Sequence, residues 1–484
     1  MSRPVARGRN MGRGVGIASG ESALPGRALV RYFALGLCFV LFGVFLVILP
    51  GADSGAQAQR QSGARYEGVA SCAGSTCHGR SEGNGAVVRQ DEIATWQEPS
   101  SPSGAHSRAY AVLGSARGRQ IAASLGLGAA TSAPACLGCH ATYVPEAQRG
   151  ARFITADGVG CESCHGPAQN WLAVHYSGSG SHDTNVAAGL VPLDRPQVRA
   201  QVCLDCHYGS TKTGQFLTHE MMAAGHPRIS IELDLFSALQ QHHDEEADYV
   251  ARKGRTDSVR QWAVGQAEAV RRQSDLFVRP QFGMQGMFPE FYFYDCHSCH
   301  RTITDGPARK LTFENNPARP IPFGNPPFND ENIILLSAVA KSLAPGEAQA
   351  FERASREFHR AMGEGRAASQ EAATALRGRA GALADALAGK SYGGGAAFDV
   401  IAAIAGEATR PRFTDYAGSV QAVMAVDTLL NSLVREGRVT VGAAAGIRAQ
   451  VNRAYAAVAE PNSYRPAEFR SALGQAAGAI GALR

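Results

Sequence analysis

The apolar positions of this 484-residue chain fall into blocks of different kinds. Residues 32–50, YFALGLCFVLFGVFLVILP, form one unbroken apolar run behind Arg3, Arg7, Arg9, Arg13, Arg27 and Arg31. Ala56-Gln57-Ala58 then fits the small-x-small rule of signal peptidase, so residues 1–58 are expected to be an export signal, or a single membrane anchor where cleavage fails. Cys38 lies inside the run behind Leu37 and is not placed for lipidation. Within residues 59–312, the stretch SVRQWAVGQAEAVRRQSDLF (258–277) carries Trp262, Val264, Ala267, Val270 and Leu276 at partly helical spacing and predicts one helix. The Pro/Asn-rich FENNPARPIPFGNPPFNDEN (313–332) reads as a linker. Beyond it, 333–484 reads as an α-helical domain of Ala-rich helices. In one of them Thr414 and Asp415 are expected to cap a helix with Val423, Val426, Leu430 and Leu433 on one face.

Composition narrows the class. Charged residues make up 18% of the chain, aromatic residues 7%, and glycine is abundant at 55. That balance favours a mainly α, loop-rich fold with little regular β over a β-sandwich. The net charge of +5 is mostly the export segment, whose six arginines face only Glu21 and Asp53. The chain beyond that segment is near neutral, and no basic stripe interleaved with aromatics points to nucleic acid.

The cysteines then change the picture. Beyond residue 58 there are ten, all in pairs: Cys72/Cys77, Cys136/Cys139, Cys161/Cys164, Cys203/Cys206 and Cys296/Cys299. A histidine follows every second cysteine: His78, His140, His165, His207 and His300. With 14 histidines in the chain, five such coincidences have a chance probability of roughly 10⁻⁸. Zinc ribbons account for Cys pairs but not for the fixed histidine. Disulfides rarely close two-residue loops, and a redox dithiol occurs once, in a βαβ context. Covalent haem c uses all three residues: two thioethers to the porphyrin and one proximal imidazole to iron. Five haems are therefore expected between Cys72 and His300, the first with a four-residue spacer. So many porphyrins in 229 residues leave little room for a side-chain core, and burial of the haems is expected to replace it.

Nine histidines remain. Those in informative settings are His106, in a run after the first motif; His175, in NWLAVHY; and His219 and His226, seven apart in LTHEMMAAGHPRISIEL and so on one face where the run is helical. Pro227 disfavours helix at His226. These four are expected to be distal ligands, with His243 of the His242-His243 pair a further candidate. His297 cannot reach the far side of its own haem, His359 reads as an amphipathic-helix residue, and His182 as a loop residue.

The run GVGCESCHGP followed by NWLAVH, preceded by CLGCH and followed by CLDCH, resembles the cytochrome c-554 family of multihaem cytochromes, over roughly residues 68–230. The resemblance implies an all-α periplasmic electron carrier with haems in close pairs. It also implies crossed ligation, with His106 capping the haem of His165 and His175 that of His78, while His226 caps the haem of His207. The second haem of the family's type member is five-coordinate; here His219 or His243 could fill that position at His140. The four-residue spacer and the fifth haem depart from the family pattern.

The leading functional reading is electron transfer between redox partner proteins, such as a periplasmic oxidoreductase or a quinol-oxidising membrane cytochrome. The alternative is a reductase of a small nitrogen or sulfur compound at an open haem, most plausibly at His140, with Arg108, Arg228 or Tyr143 orienting the substrate. A third class is a structural subunit that docks through residues 333–484.

Overall fold

The computed structural model describes residues 63–83, 89–242, 245, 247–282, 290–300, 319–321, 325–393, 395–410 and 416–484. The export segment 1–58, His243 and the Thr414-Asp415 cap lie outside the described residues. The fold is mainly α, as composition predicts, and the described residues form no strand, only the isolated bridges Tyr66–Arg149 and Tyr294–Phe328.

The first half is a set of short helices joined by turns: α1 (Glu92–Gln97), α2 (Ala116–Ser124), α3 (Pro134–His140), α4 (Glu162–His165), α5 (Leu172–Tyr176), α6 (His182–Ala188), α7 (Pro196–His207), α8 (His219–Ala223), α9 (Leu233–Leu239) and α10 (Ala247–Lys253). Local sequence sets their limits. Pro134 and Pro196 open α3 and α7 at the position where a missing N–H costs nothing. Ser115, Ser181 and Thr218 cap α2, α6 and α8 through their hydroxyls. A small apolar cluster of Leu113, Ala122, Ala130, Leu137 and Ala141 is buried here. Around the second motif the side-chain core is as thin as expected, whereas from α7 onward the Cys-His region joins a much larger one.

The second half has a conventional core. Helix α11 (Ser258–Phe277) spans the run expected from spacing, and the short α12 (Cys296–Cys299) carries the last motif. Then come α13 (Ile333–Leu343), α14 (Pro345–Ala361), α15 (Arg366–Ala388), α16 (Ala396–Ala408), α17 (Tyr416–Arg435), α18 (Val441–Ala457) and α19 (Pro466–Gly481). Val423, Val426, Leu430 and Leu433 are fully buried on α17, on the face expected for them. That helix is long and apolar enough to cross a membrane, but 83% of its apolar window is buried inside the protein, so it is a core helix.

Buried apolar residues on both sides of 313–332 belong to one cluster. A single apolar cluster runs from Ala200 and Leu204 of α7 through α11 to Ile480 of α19. Phe328 stacks into it between Phe277, Phe293 and Phe358. Asn329, Asp330, Glu331 and Asn332, which look like loop residues, are buried. Oδ2 of Asp330 lies 2.6 Å from Nε of Arg319 and 3.2 Å from Nε2 of His359. His359 lies on the amphipathic helix α14, as expected, and its ring is buried against Asp330.

Candidate functional site

The second, third and fourth motifs each end a helix at the histidine, α3 at His140, α4 at His165 and α7 at His207, and His300 follows directly on α12. The amide of His165 donates to the carbonyl of Cys161 at 2.9 Å, and that of His300 to Cys296 at 2.8 Å. Gly166 comes next with φ +80°, a left-handed conformation that turns the chain away, as expected of Gly166-Pro167. A different glycine device joins the second and fourth motifs. A Cβ on Gly138 would lie 2.6 Å from the backbone of Gly214, so only a glycine lets the loop after α7 close over α3.

The five motif histidines each face a second imidazole. Ring centroids are 6.0 Å apart for His78–His175, 6.1 Å for His140–His226 and 6.3 Å for His165–His242. They are 6.0 Å apart for both His207–His106 and His300–His219. An imidazole nitrogen binds a transition metal at about 2 Å, with the ring centre about 1 Å behind it, so rings facing across one ion stand about 6 Å apart. All five spacings fit.

The outer nitrogens support the same fit. Nδ1–H of His140 donates to the carbonyl of Ala109 at 2.8 Å, that of His226 to Pro227 at 2.8 Å and that of His242 to Gln240 at 3.2 Å. Holding the proton on Nδ1 leaves the Nε2 lone pair free, the tautomer a metal ligand needs. Burial keeps His106, His175 and His226 below the usual imidazole pKa and pushes His207 down to about 4. Those rings are neutral at pH 7. His78 moves the other way, because its Nδ1 is hydrogen-bonded to Glu92 at 2.9 Å.

The thiols of Cys72, Cys139, Cys164 and Cys203 are held neutral. Contact with Cys161 and burial raise the Cys72 pKa, and contact with Cys206 and burial raise that of Cys139. Burial pushes Cys164 up to about 12 and Cys203 up to about 11. Among the described residues no three His, Cys, Asp or Glu side chains converge to hold a metal ion, which a tetrahedral zinc site would require. Cys77 and Cys299 are exposed, whereas the other eight are partly buried.

The pairing of His175 with His78 is the one the family resemblance implies. The others differ from it. His106 faces His207 rather than His165, and His226 faces His140 rather than His207. His219 and His226 do not share one helix face, because α8 ends at Ala223 and the turn after it sends His226 elsewhere. His242, not singled out from sequence, faces His165. Its neighbour His243 lies outside the described residues, and nothing in HHDEE distinguishes the two. His297 donates to the carbonyl of Pro461 at 2.8 Å and packs against Tyr464. His182 begins α6 beside Asp183 and Asp194.

Two of the groups considered for substrate orientation are held by other partners. Arg108 donates to the carbonyls of Glu98 and Ser101, and Tyr143 is exposed. Arg228 is held between Cys296, at 3.1 Å, and Glu331, at 3.0 Å. Glu162, inside the third motif, is a functional residue that sequence reasoning missed. Its buried carboxylate accepts from the amides of Glu67 (2.9 Å), Gly68 (2.7 Å) and Ala168 (2.6 Å), tying the first and third motifs together. Glu162→Ala strands three buried donors and is expected to cost about 2–5 kcal/mol. An unchanged melting temperature would show that these bonds are replaced.

No curated protein and no solved structure matches the chain. Residues 71–166, which carry the first three of the five motifs, match the family model of cytochrome c554 and c-prime, which supports in that region a c-type cytochrome with covalent haem and a role in electron transfer.

Proposed function

We propose that the chain carries five haems c and moves electrons between redox partner proteins in the periplasm. The observation that supports it most directly is the set of five imidazole pairs, one to each Cys-His motif, all at 6.0–6.3 Å. Cys72/Cys77, Cys136/Cys139, Cys161/Cys164, Cys203/Cys206 and Cys296/Cys299 would form the thioethers. His78, His140, His165, His207 and His300 would be the proximal ligands, and His175, His226, His242, His106 and His219 the distal ones, in the same order. Haem c supplies one-electron ferric–ferrous exchange.

What the protein adds is order. The Cys72 thiol touches Cys161, joining the first site to the third. Cys164 lies within the field of Cys203 and Cys206, joining the third to the fourth. Cys139 Sγ reaches the carbonyl of Cys206 at 3.8 Å, joining the fourth to the second. The α8 segment carries both His219 and His226, and Arg228 just beyond reaches Cys296, joining the second to the fifth. These contacts support a row, first–third–fourth–second–fifth, with the exposed Cys77 and Cys299 at its two ends. Contiguity with two accessible ends suits a carrier. Docking at such ends is expected to be small and transient.

A second imidazole opposite His140 occupies the position a reductase would keep open. That geometry favours the carrier over the enzyme. The mature protein, cleaved after Ala58, is expected to have the mass of five added haems. Its oxidised electron paramagnetic resonance spectrum is expected to be wholly low-spin. A high-spin ferric signal that moves when nitrite is added would overturn the carrier in favour of the reductase, and a mass of four haems would overturn the count.

A further inference from the structure

The outer nitrogens of the paired rings are not all bonded alike. His140, His226 and His242 donate from Nδ1 to main-chain carbonyls. His78 instead donates to Oε2 of Glu92 at 2.9 Å. Glu92 is the first residue of α1 and is only 6% exposed. The adjoining amide of Ile93 donates to the carbonyl of His78 at 3.1 Å. The ring and the carboxylate are therefore held together both by side chain and by main chain, across 14 residues of sequence.

A carboxylate is a stronger acceptor than a carbonyl. By drawing on the Nδ1 proton it makes the opposite nitrogen of the same ring a better electron donor. It also places a negative charge beside the site in a buried setting, where charge is weakly screened. Both effects favour the oxidised, more positively charged iron.

We propose that Glu92 is a positioning residue that holds the reduction potential of the first haem, bound at Cys72 and Cys77, below the value its imidazole pair would give alone. The inference rests on the five-haem, two-imidazole reading above. It differentiates one end of the row from its interior by a second carboxylate-to-imidazole layer.

The test is a spectroelectrochemical titration of the mature five-haem protein at one fixed neutral pH. Glu92→Gln keeps the size and an acceptor but removes the charge. It is expected to raise the potential of one haem by about 59 mV, a tenfold change in a one-electron equilibrium, and to shift one low-spin resonance signal while four stay in place. Glu92→Leu, which removes the acceptor as well, is expected to move the same haem further, and Glu92→Asp to return it towards the native value. Native potentials at all five haems, in either the Gln or the Leu variant carrying five low-spin haems, would overturn the proposal. Peptide mass mapping separates the two failures: a native protein with no haem on the Cys72–Cys77 peptide overturns the five-haem reading itself, and this inference with it.

Discussion

On the five-haem reading, replacing His226 by alanine is expected to convert one haem in five from low-spin to high-spin and to open it to added ligands. His226 stands opposite His140, the site the family's type member leaves five-coordinate. In this chain its ring lies 6.1 Å from that of His140 and is fixed by the bond from Nδ1–H to the carbonyl of Pro227. Burial keeps the ring neutral, so its lone pair is available at pH 7. The turn that presents it is anchored independently, because Nε and Nη2 of Arg117 both donate to the carbonyl of Gly225, at 2.9 and 2.6 Å. Removing the imidazole should therefore leave the backbone in place. The expected result is a new high-spin ferric signal that disappears when imidazole is supplied in solution. An unchanged low-spin spectrum would show that His226 is not the ligand opposite His140. The variant would also acquire the open position that the reductase reading requires, and comparing its nitrite response with the native protein's separates the two functions within one scaffold.

A chain ended at residue 312 is expected not to fold its last haem region, although all five motifs precede that point. Sixteen of the 20 residues of α11 are buried, so this helix is covered all round and not on one stripe. Much of the cover comes from the C-terminal helices. Arg377 of α15 binds Asp275 at 2.6 Å, Gln421 of α17 donates to the carbonyl of Ile231 at 2.9 Å, and Thr428 donates to Asp234 at 2.7 Å. Trp262, Val264, Val270, Leu276 and Phe277 would all regain solvent contact. At about 1.5–3 kcal/mol for each large apolar side chain, the loss reaches the whole stability of an ordinary domain, about 5–15 kcal/mol. Loss of a cooperative melt and of the haem at Cys296/Cys299 in the shortened protein is the expected observation. A fragment that melts cooperatively with five haems would show that residues 333–484 are a separable module.

Helix α11 also shows what the sequence carries and what it withholds. Trp262, Val264, Ala267, Val270 and Leu276 mark its inner stripe, and the helix forms over the expected residues. Gln261, Gln266, Glu268 and Gln273 are polar residues between those positions, yet they are buried. Gln266 bonds to Gln421 and Asn332, and Gln273 to the carbonyl of Asn329. Those partners lie from 56 to 155 residues away, and periodicity reports only neighbours on the same helix. The same division holds at the candidate sites. Thiols and proximal histidine sit within seven residues of each other, so the motifs are legible from composition and spacing alone. The facing histidine comes from a distant segment, and its choice depends on how α3, α4 and α7 meet. His106 and His226 are recognisable as candidates from their settings, while the motif histidine that each one faces is not. Glu92 left no local mark at all, since an acidic residue at the first position of a helix is ordinary.

The facing histidines are also separated widely along the chain, from 77 residues for His165 and His242 to 101 for His106 and His207. The spans overlap: His106–His207, His140–His226 and His165–His242 all pass over residues 177–181. On the reading proposed above, the irons of His78, His140 and His165 cannot find a second ligand until at least 77 further residues have crossed the membrane. Those three sites would wait half-made, whereas His207 and His300 arrive after the imidazoles that face them. Closure of the early sites would thus depend on segments that are delivered late, and long-range closure of that kind is slow. Maturation of such a chain is governed by translocation as much as by the attachment chemistry at each cysteine pair.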